Sequence, residues 1–316
     1  MATLFVKMVQ QIFNRQCSNF YFSKKTMKAI FISIIIFSYT TCSFGQTNPT
    51  TKIENTKPFV LGVIDEFHST ELNENRILNI YLPEGYNAGD TLTYPVVYLL
   101  DGSADEDFIH IVGLYQFNNF DWINRVPKSI IVGIATVDRR RNFTFSTIIE
   151  ADKKRYPTTG HSDKFIRFIA NELQPYIQKK YHTNSSKTII GQSLGGLLAT
   201  EILLKTPTLF NQYIIVSPSL WWNNGSLLDY PTETLQNSIS HKIKVYIGVG
   251  KEGLTPTDIP RVMEVDANLL SEKIKNIKNK NLTVYFDYLP QEDHATILHQ
   301  AVFNALRLLN PKSVDR

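Results

Sequence analysis

Three features of the sequence predict an α/β protein with a mostly parallel central sheet and helices on both faces. Short apolar runs rich in β-branched residues, such as "YPVVYLLDG" (94–102) and "KSIIVGIATVD" (128–138), suit strands buried on both sides. Segments with apolar residues at helical spacing alternate with them along the chain. In "TIIGQSLGG" (188–196) a serine sits among glycines where a β-suited run gives way to a helical one. Strands that alternate with helices build a sheet covered on two sides, and ligands bind at the carboxyl ends of such strands.

The elements follow in order. "RILNIYLP" (76–83) alternates like an exposed strand and ends at a proline. The runs at 94–102 and 128–138 are the first buried strands. "DKFIRFIANELQPYIQKKY" (163–181) has helical spacing with Asp163 at its start as N-cap, and Pro175 is expected to kink or break it. A strand at 187–191, a helix at 194–205 and a strand at 213–219 come next. "KIKVYIGVG" (242–250) and "LTVYFDYLP" (282–290) are strands, with helices over about 260–278 and 296–309.

The chain has 316 residues, 43% hydrophobic and 20% charged, enough for one large domain with a sizeable core. Its first 45 residues hold five basic side chains (Lys7, Arg15, Lys24, Lys25, Lys28) and no acidic ones. "MKAIFISIIIFSYTTCSFGQ" (27–46) has a basic start, an apolar run and small residues, Ser43 and Gly45, before a cut at Gln46. That is the pattern of a secretory signal, and its apolar run falls short of the roughly 20 residues that span a bilayer. The expected organisation is a leader over 1–45 that starts in effect at Met27, a polar linker over 46–58 and one catalytic domain over 59–316. The expected location is periplasmic or extracellular, with no membrane span left after cleavage. Both cysteines, Cys17 and Cys42, precede the cut, so the exported chain would have no thiol nucleophile and no thiolate metal site. Cys42 as a lipid-bearing cysteine is the alternative, although Tyr39-Thr40-Thr41 is a poor lead-in. Taking the five leader charges from the 33 basic residues leaves 28 against 29 acidic ones, a balance that argues against nucleic acid. Neither a metal nor a cofactor is implied.

Gly191-Gln192-Ser193-Leu194-Gly195 between strand and helix is the nucleophile-elbow pattern of α/β-hydrolases. A serine hydroxyl needs a nearby base before it can attack. In this fold the order is Ser, acid, His. Of the histidines after Ser193, His241 precedes a strand and His299 lies inside the last helix. His294, in "PQEDHAT", follows a strand and precedes a helix, which makes it the base. Glu252, two residues past the strand that ends at Gly250, is the first choice as acid, with Asp258 in the same loop as its rival. The N–H of Leu194 would bind the oxyanion, joined by that of Gly102 or Ser103 in the loop after the early strand. A glycine at 102 would let the backbone approach the substrate closely.

"YLLDG", "DKFIRFIANELQPYIQKKY", "TIIGQSLGGLLATEIL", "SPSLWWNN" and "EDHAT" occur in an order and spacing that resemble the putative-esterase family of α/β-hydrolases. That family includes enterobactin-type siderophore (trilactone) esterases, with feruloyl and acetyl-xylan esterases as relatives. The resemblance spans about residues 59–310. It implies an α/β-hydrolase fold without a large cap domain, Ser193 as nucleophile, His294 as base and Glu252 at the acid position. The chain departs from the commonest form at Gln192, where histidine often stands, and at Glu252, where aspartate is frequent.

For the substrate the sequence offers Trp221 and Trp222, which follow a strand and could stack on a ring, although one of them reads better as a core plug. Arg139, Arg140 and Arg141 cannot all face one pocket; a solvated turn is the plain reading, and Arg139 and Arg141 are the candidates to pair with an anionic group. The function read from these residues is a serine esterase acting on a small-molecule ester, a siderophore lactone or an acylated carbohydrate. An inactive binding module or an acyltransferase on the same fold is the alternative.

Overall fold

The structure is a computed structural model that describes residues 55–312 apart from 256. The signal-like segment, both cysteines and most of the expected linker lie outside the described residues. Residues from Val60 onward cluster as one unit. Among the described residues no helix is long and apolar enough to cross a membrane.

Eight strands form one sheet: β1 (Val63–Ser69), β2 (Glu74–Tyr81), β3 (Tyr94–Leu100), β4 (Ile130–Ile134), β5 (Thr183–Gln192), β6 (Gln212–Val216), β7 (Ile243–Gly250) and β8 (Leu282–Leu289). Their order across the sheet is β1-β2-β4-β3-β5-β6-β7-β8. β2 runs antiparallel to both neighbours, and every pairing from β4 to β8 is parallel. This is the mostly parallel sheet of the α/β-hydrolase fold.

Alternate residues of the central strands enter two apolar layers. In β3, Val96, Tyr98 and Leu100 face one layer and Val97 and Leu99 the other; in β6, Tyr213 and Ile215 oppose Ile214 and Val216. The second layer is closed by α1 (Phe108–Asn119) and by the last helix, Ile297–Leu309. The first is closed mainly by helices between them: α2 (Arg139–Phe143), α4 (Ser162–Phe168), α5 (Gln174–Lys180), α6 (Leu194–Lys205), the short α7 (Ser226–Asp229) and α8 (Glu233–Ser238), and α9 (Met263–Lys275), while the polar α3 (Glu150–Arg155) places no side chain in that layer. The last helix is α10. The chain steps from β3 to β4 in one direction and returns past β3 to β5. The strand order therefore reverses between β3 and β5, the kind of crevice where ligands bind in open α/β sheets.

One expectation needs correction. Asp163 is not the cap of its helix: His161 flanks the start, and Asp163 lies in the first turn, where it accepts a hydrogen bond from Arg167 at 2.9 Å. Pro175 does divide the helical run. A wide π turn, Ile169–Leu173, joins α4 to α5 just before it, because a proline ring cannot follow a regular turn. The edge strand β1, "VIDEFHS", escaped notice because its charges hide the pattern; its Asp65 is buried and held by Lys180 and Tyr181.

Gly191 is the glycine on which the centre of the fold turns. A Cβ there would lie 2.4 Å from the Gly195 carbonyl oxygen, so the strand and the first turn of α6 could not cross as they do. Gly191→Ala should therefore destabilise the protein by about 1–3 kcal/mol, the cost of forced overpacking, measurable as a lower urea midpoint.

Candidate active site

Ser193 is the single residue between β5 and α6, with φ 59 and ψ −118. A non-glycine residue held there costs about 1–3 kcal/mol and persists only where its surroundings fix it. Here the Ser193 N–H donates to Val216 O at 3.0 Å, and its carbonyl accepts from the N–H groups of Leu197 and Ser219 at 2.9 and 3.0 Å. Asp101 (φ 53) and Ser217 (φ 42) are similarly left-handed, just past the ends of β3 and β6. Three strained residues thus collect at the carboxyl edge of the sheet around the serine. Leu194 opens α6, so its N–H has no partner within the helix.

Glu252 and His294 meet across the next two loops. Glu252 Oε2 lies 2.6 Å from His294 Nδ1, while Oε1 accepts from the Ser217 hydroxyl. The carboxylate side chain is 3% exposed, against 46% for the imidazole. Burial pushes the Glu252 carboxyl up, but the hydrogen bonds from His294 and Ser217 and the imidazole's charge outweigh it and leave it below the usual glutamate value. The Glu252 and Gly253 N–H groups both donate to Glu264 on α9, which fixes the acid's backbone. Gly250 lets the two loops touch: the neighbouring Lys251 N–H donates to Glu292 O at 2.8 Å, and a Cβ on Gly250 would lie 2.6 Å from that oxygen. Asp293 then caps the turn into α10 by accepting from the N–H groups of Ala295 and Thr296.

His294 is tied back to the elbow by Gln192, whose Nε2 donates to the His294 carbonyl at 2.5 Å. The hydroxyl of Ser193 pairs with Ser219 Oγ at 3.3 Å rather than with the imidazole. Asp258 is exposed, with no hydrogen bond to His294. His299 sits within α10, edge-on to His110 at 4.6 Å. Among the described residues no group of three or more His, Cys, Asp or Glu side chains could hold a metal ion.

The loop after β3 behaves differently from the sequence-based expectation. The Gly102 N–H donates to Ile134 O at 3.1 Å, so it is not available to an oxyanion. Gly102 is glycine because it packs on β4, where a Cβ would meet Gly133 Cα at 2.4 Å. Ser103 is the residue of the pair whose amide has no such backbone partner.

A pocket of about 180 Å³ opens beside Ser193 and Ser219 and includes both tryptophans in its wall. Trp222 is buried and donates Nε1–H to Phe145 O at 2.8 Å, so it is the core plug; Trp221 is half-buried. Of the arginines, Arg139 reaches the pocket but forks onto Asp101 at 2.9 and 3.2 Å. Arg141 is turned to Glu74 and is not part of the pocket wall, a correction to its expected role. Arg140, the one passed over, lines the pocket. Asp138 caps α2 by accepting from the Arg141 N–H, and no sequence period reveals which of the three side chains reach the pocket.

The Glu252 shift has a consequence for stability. A carboxyl whose folded pKa lies below its unfolded value stabilises the fold fully above the unfolded value, and that contribution is lost as pH falls through the folded one. The stability gap between the wild type and Glu252→Gln should therefore be widest near neutral pH and narrow on acidification, as read from urea midpoints.

Comparison with known proteins agrees with this architecture. The profile of the family described as "Putative esterase" matches residues 69–295. The chain is 28% identical over 249 residues to the ferri-bacillibactin esterase BesA of Bacillus subtilis, covering 74% of this chain and 85% of that protein. Among solved structures it resembles an IroE-like serine hydrolase from Shewanella oneidensis, with 30% identity, a TM-score of 0.69 and coverage of 79% of this chain and 80% of the other. The BES protein of Bacillus cereus has the same TM-score at 28% identity, with 83% of this chain and 100% of that one covered. Family profile, fold and relatives agree: this chain belongs to the "Putative esterase" family and is a serine hydrolase of carboxylic esters.

Proposed function

We propose that the protein is an exported esterase that opens small esters of the siderophore-lactone type through an acyl-enzyme on Ser193. The observation that carries the reading is the Glu252–His294 pair, bound at 2.6 Å and tied by Gln192 to the strained elbow serine. The relative named as a ferri-bacillibactin esterase supports the choice of substrate.

In this reading the Ser193 hydroxyl turns from Ser219 to His294 Nε2 when substrate arrives, since catalytic hydrogen bonds often tighten only in the complex. Oγ attacks the ester carbonyl and its proton passes to Nε2. Glu252 keeps the other proton on Nδ1 and stabilises the imidazolium that forms. The N–H groups of Leu194 and Ser103 receive the negative oxygen, with the positive end of α6 behind it. The imidazolium then protonates the departing alcohol. Water, deprotonated by His294, releases the acid and restores Ser193.

Ser193→Ala and His294→Ala should each lower turnover of an aryl ester and of a catechol trilactone by a factor on the order of 10⁴, and the double variant should be little worse. Glu252→Gln should lower kcat by about 10² to 10⁴, while Asp258→Asn stays near wild type. Near-normal turnover by His294→Ala would remove the base assigned here.

Export rests on the sequence of residues 27–46. Expressed from Met27 in a host with a compatible pathway, the protein should leave the cytoplasm with Gln46 as its first residue by mass spectrometry. A lipidated amino terminus at Cys42 would replace soluble export with a membrane anchor.

A further inference from the structure

The three arginines of α2 differ in what neutralises them. Arg139 is forked onto Asp101, and Arg141 is paired with Glu74. Arg140 is exposed, and no carboxylate among the described residues makes an ion pair with it. Its guanidinium instead lies over the Tyr156 ring, 4.7 Å from the centroid. That contact holds the charge in place without cancelling it. Arg140 and Tyr156 both line the pocket that contains the nucleophile.

The rest of that wall is equally one-sided. Thr144, Thr159, Ser219 and the tryptophans supply hydroxyls and rings, and no acidic side chain takes part. The pocket, of about 180 Å³, has room for a small-molecule group beside the serine. A small cavity with one uncompensated cation and no carboxylate favours an occupant that brings its own negative charge. A guanidinium suits an oxyanion especially well, because it can donate two parallel hydrogen bonds.

We propose that Arg140 is the residue that selects the substrate: the pocket takes esters bearing an oxyanion, such as a carboxylate, a few bonds from the ester carbonyl. This rests on Ser193 being the nucleophile and goes beyond it by naming the charge of the group seated next to it. Arg140 touches the substrate's anion and takes no part in proton transfer.

The test uses two aryl esters with the same leaving group: the hemisuccinate, which carries a free carboxylate, and its neutral methyl-capped counterpart. The ratio of their kcat/KM values is the readout. Wild type should prefer the anionic ester, and added salt should erode that preference. Arg140→Gln should lower the ratio by about three- to tenfold, and Arg140→Lys should retain part of it. Succinate binding to the Ser193→Ala protein, followed by tryptophan fluorescence, tests the same site without turnover and should weaken on adding Arg140→Gln. An unchanged ratio in Arg140→Gln, or one indifferent to salt in wild type, would overturn the proposal while leaving the esterase reading intact. Loss of all Ser193-dependent turnover together with succinate binding that still needs Arg140 would do the reverse.

Discussion

The hydrogen bond between Glu252 and His294 is the contact on which the site depends. A buried carboxylate is costly unless it is paired and hydrogen-bonded. Glu252 meets that cost with His294 on one oxygen and Ser217 on the other, and Glu264 holds its backbone in place. Once the carboxylate is fixed, Nδ1 of His294 is committed to it and the orientation of the ring is set. The imidazole itself remains half in solvent, where it can exchange protons with a substrate or a water. The division between a buried carboxylate and an accessible imidazole follows from loop packing, with Gly250 allowing the two loops to touch.

The sheet makes this pairing possible from residues far apart in sequence. Parallel strands place every strand-to-helix junction on one edge, so the chain can bring loops from β3 to β8 to one place. The strand order reverses between β3 and β5, where the loop after β3 and the serine after β5 leave the same edge of the sheet. The strain at Asp101, Ser193 and Ser217 is confined to that edge, where backbone hydrogen bonds from neighbouring strands hold it. Stability from the two apolar layers is in effect spent on a rigid active-site rim. In the pocket beside it, Arg140 makes no ion pair among the described residues, whereas its neighbours Arg139 and Arg141 are each paired with an acid.

The parts of this structure that are local in sequence were legible there. The elbow is a five-residue pattern whose glycine at 191 has a steric reason, and the central strands announce themselves by β-branched runs. Position after a strand singled out His294, the histidine that the folded chain pairs with Glu252. What the sequence hid depends on direction. Glu252 and Asp258 share a loop, and only the folded loop turns one of them to the imidazole. Gly102 looked like a flexible donor, yet its amide and its missing Cβ both serve packing against β4. Arg140 was indistinguishable from its neighbours until their partners were known. β1 was hidden because an edge strand can carry charges that find partners only in three dimensions.

A fluorophosphonate probe tests the central assignment most directly, because it reacts only with a serine activated by a working base and oxyanion hole. Mass spectrometry of the labelled protein should find one adduct, on Ser193, with labelling slowed severely in His294→Ala and abolished in Ser193→Ala. An unlabelled Ser193 in folded wild-type protein, or an adduct that forms equally fast without His294, would contradict the assignment.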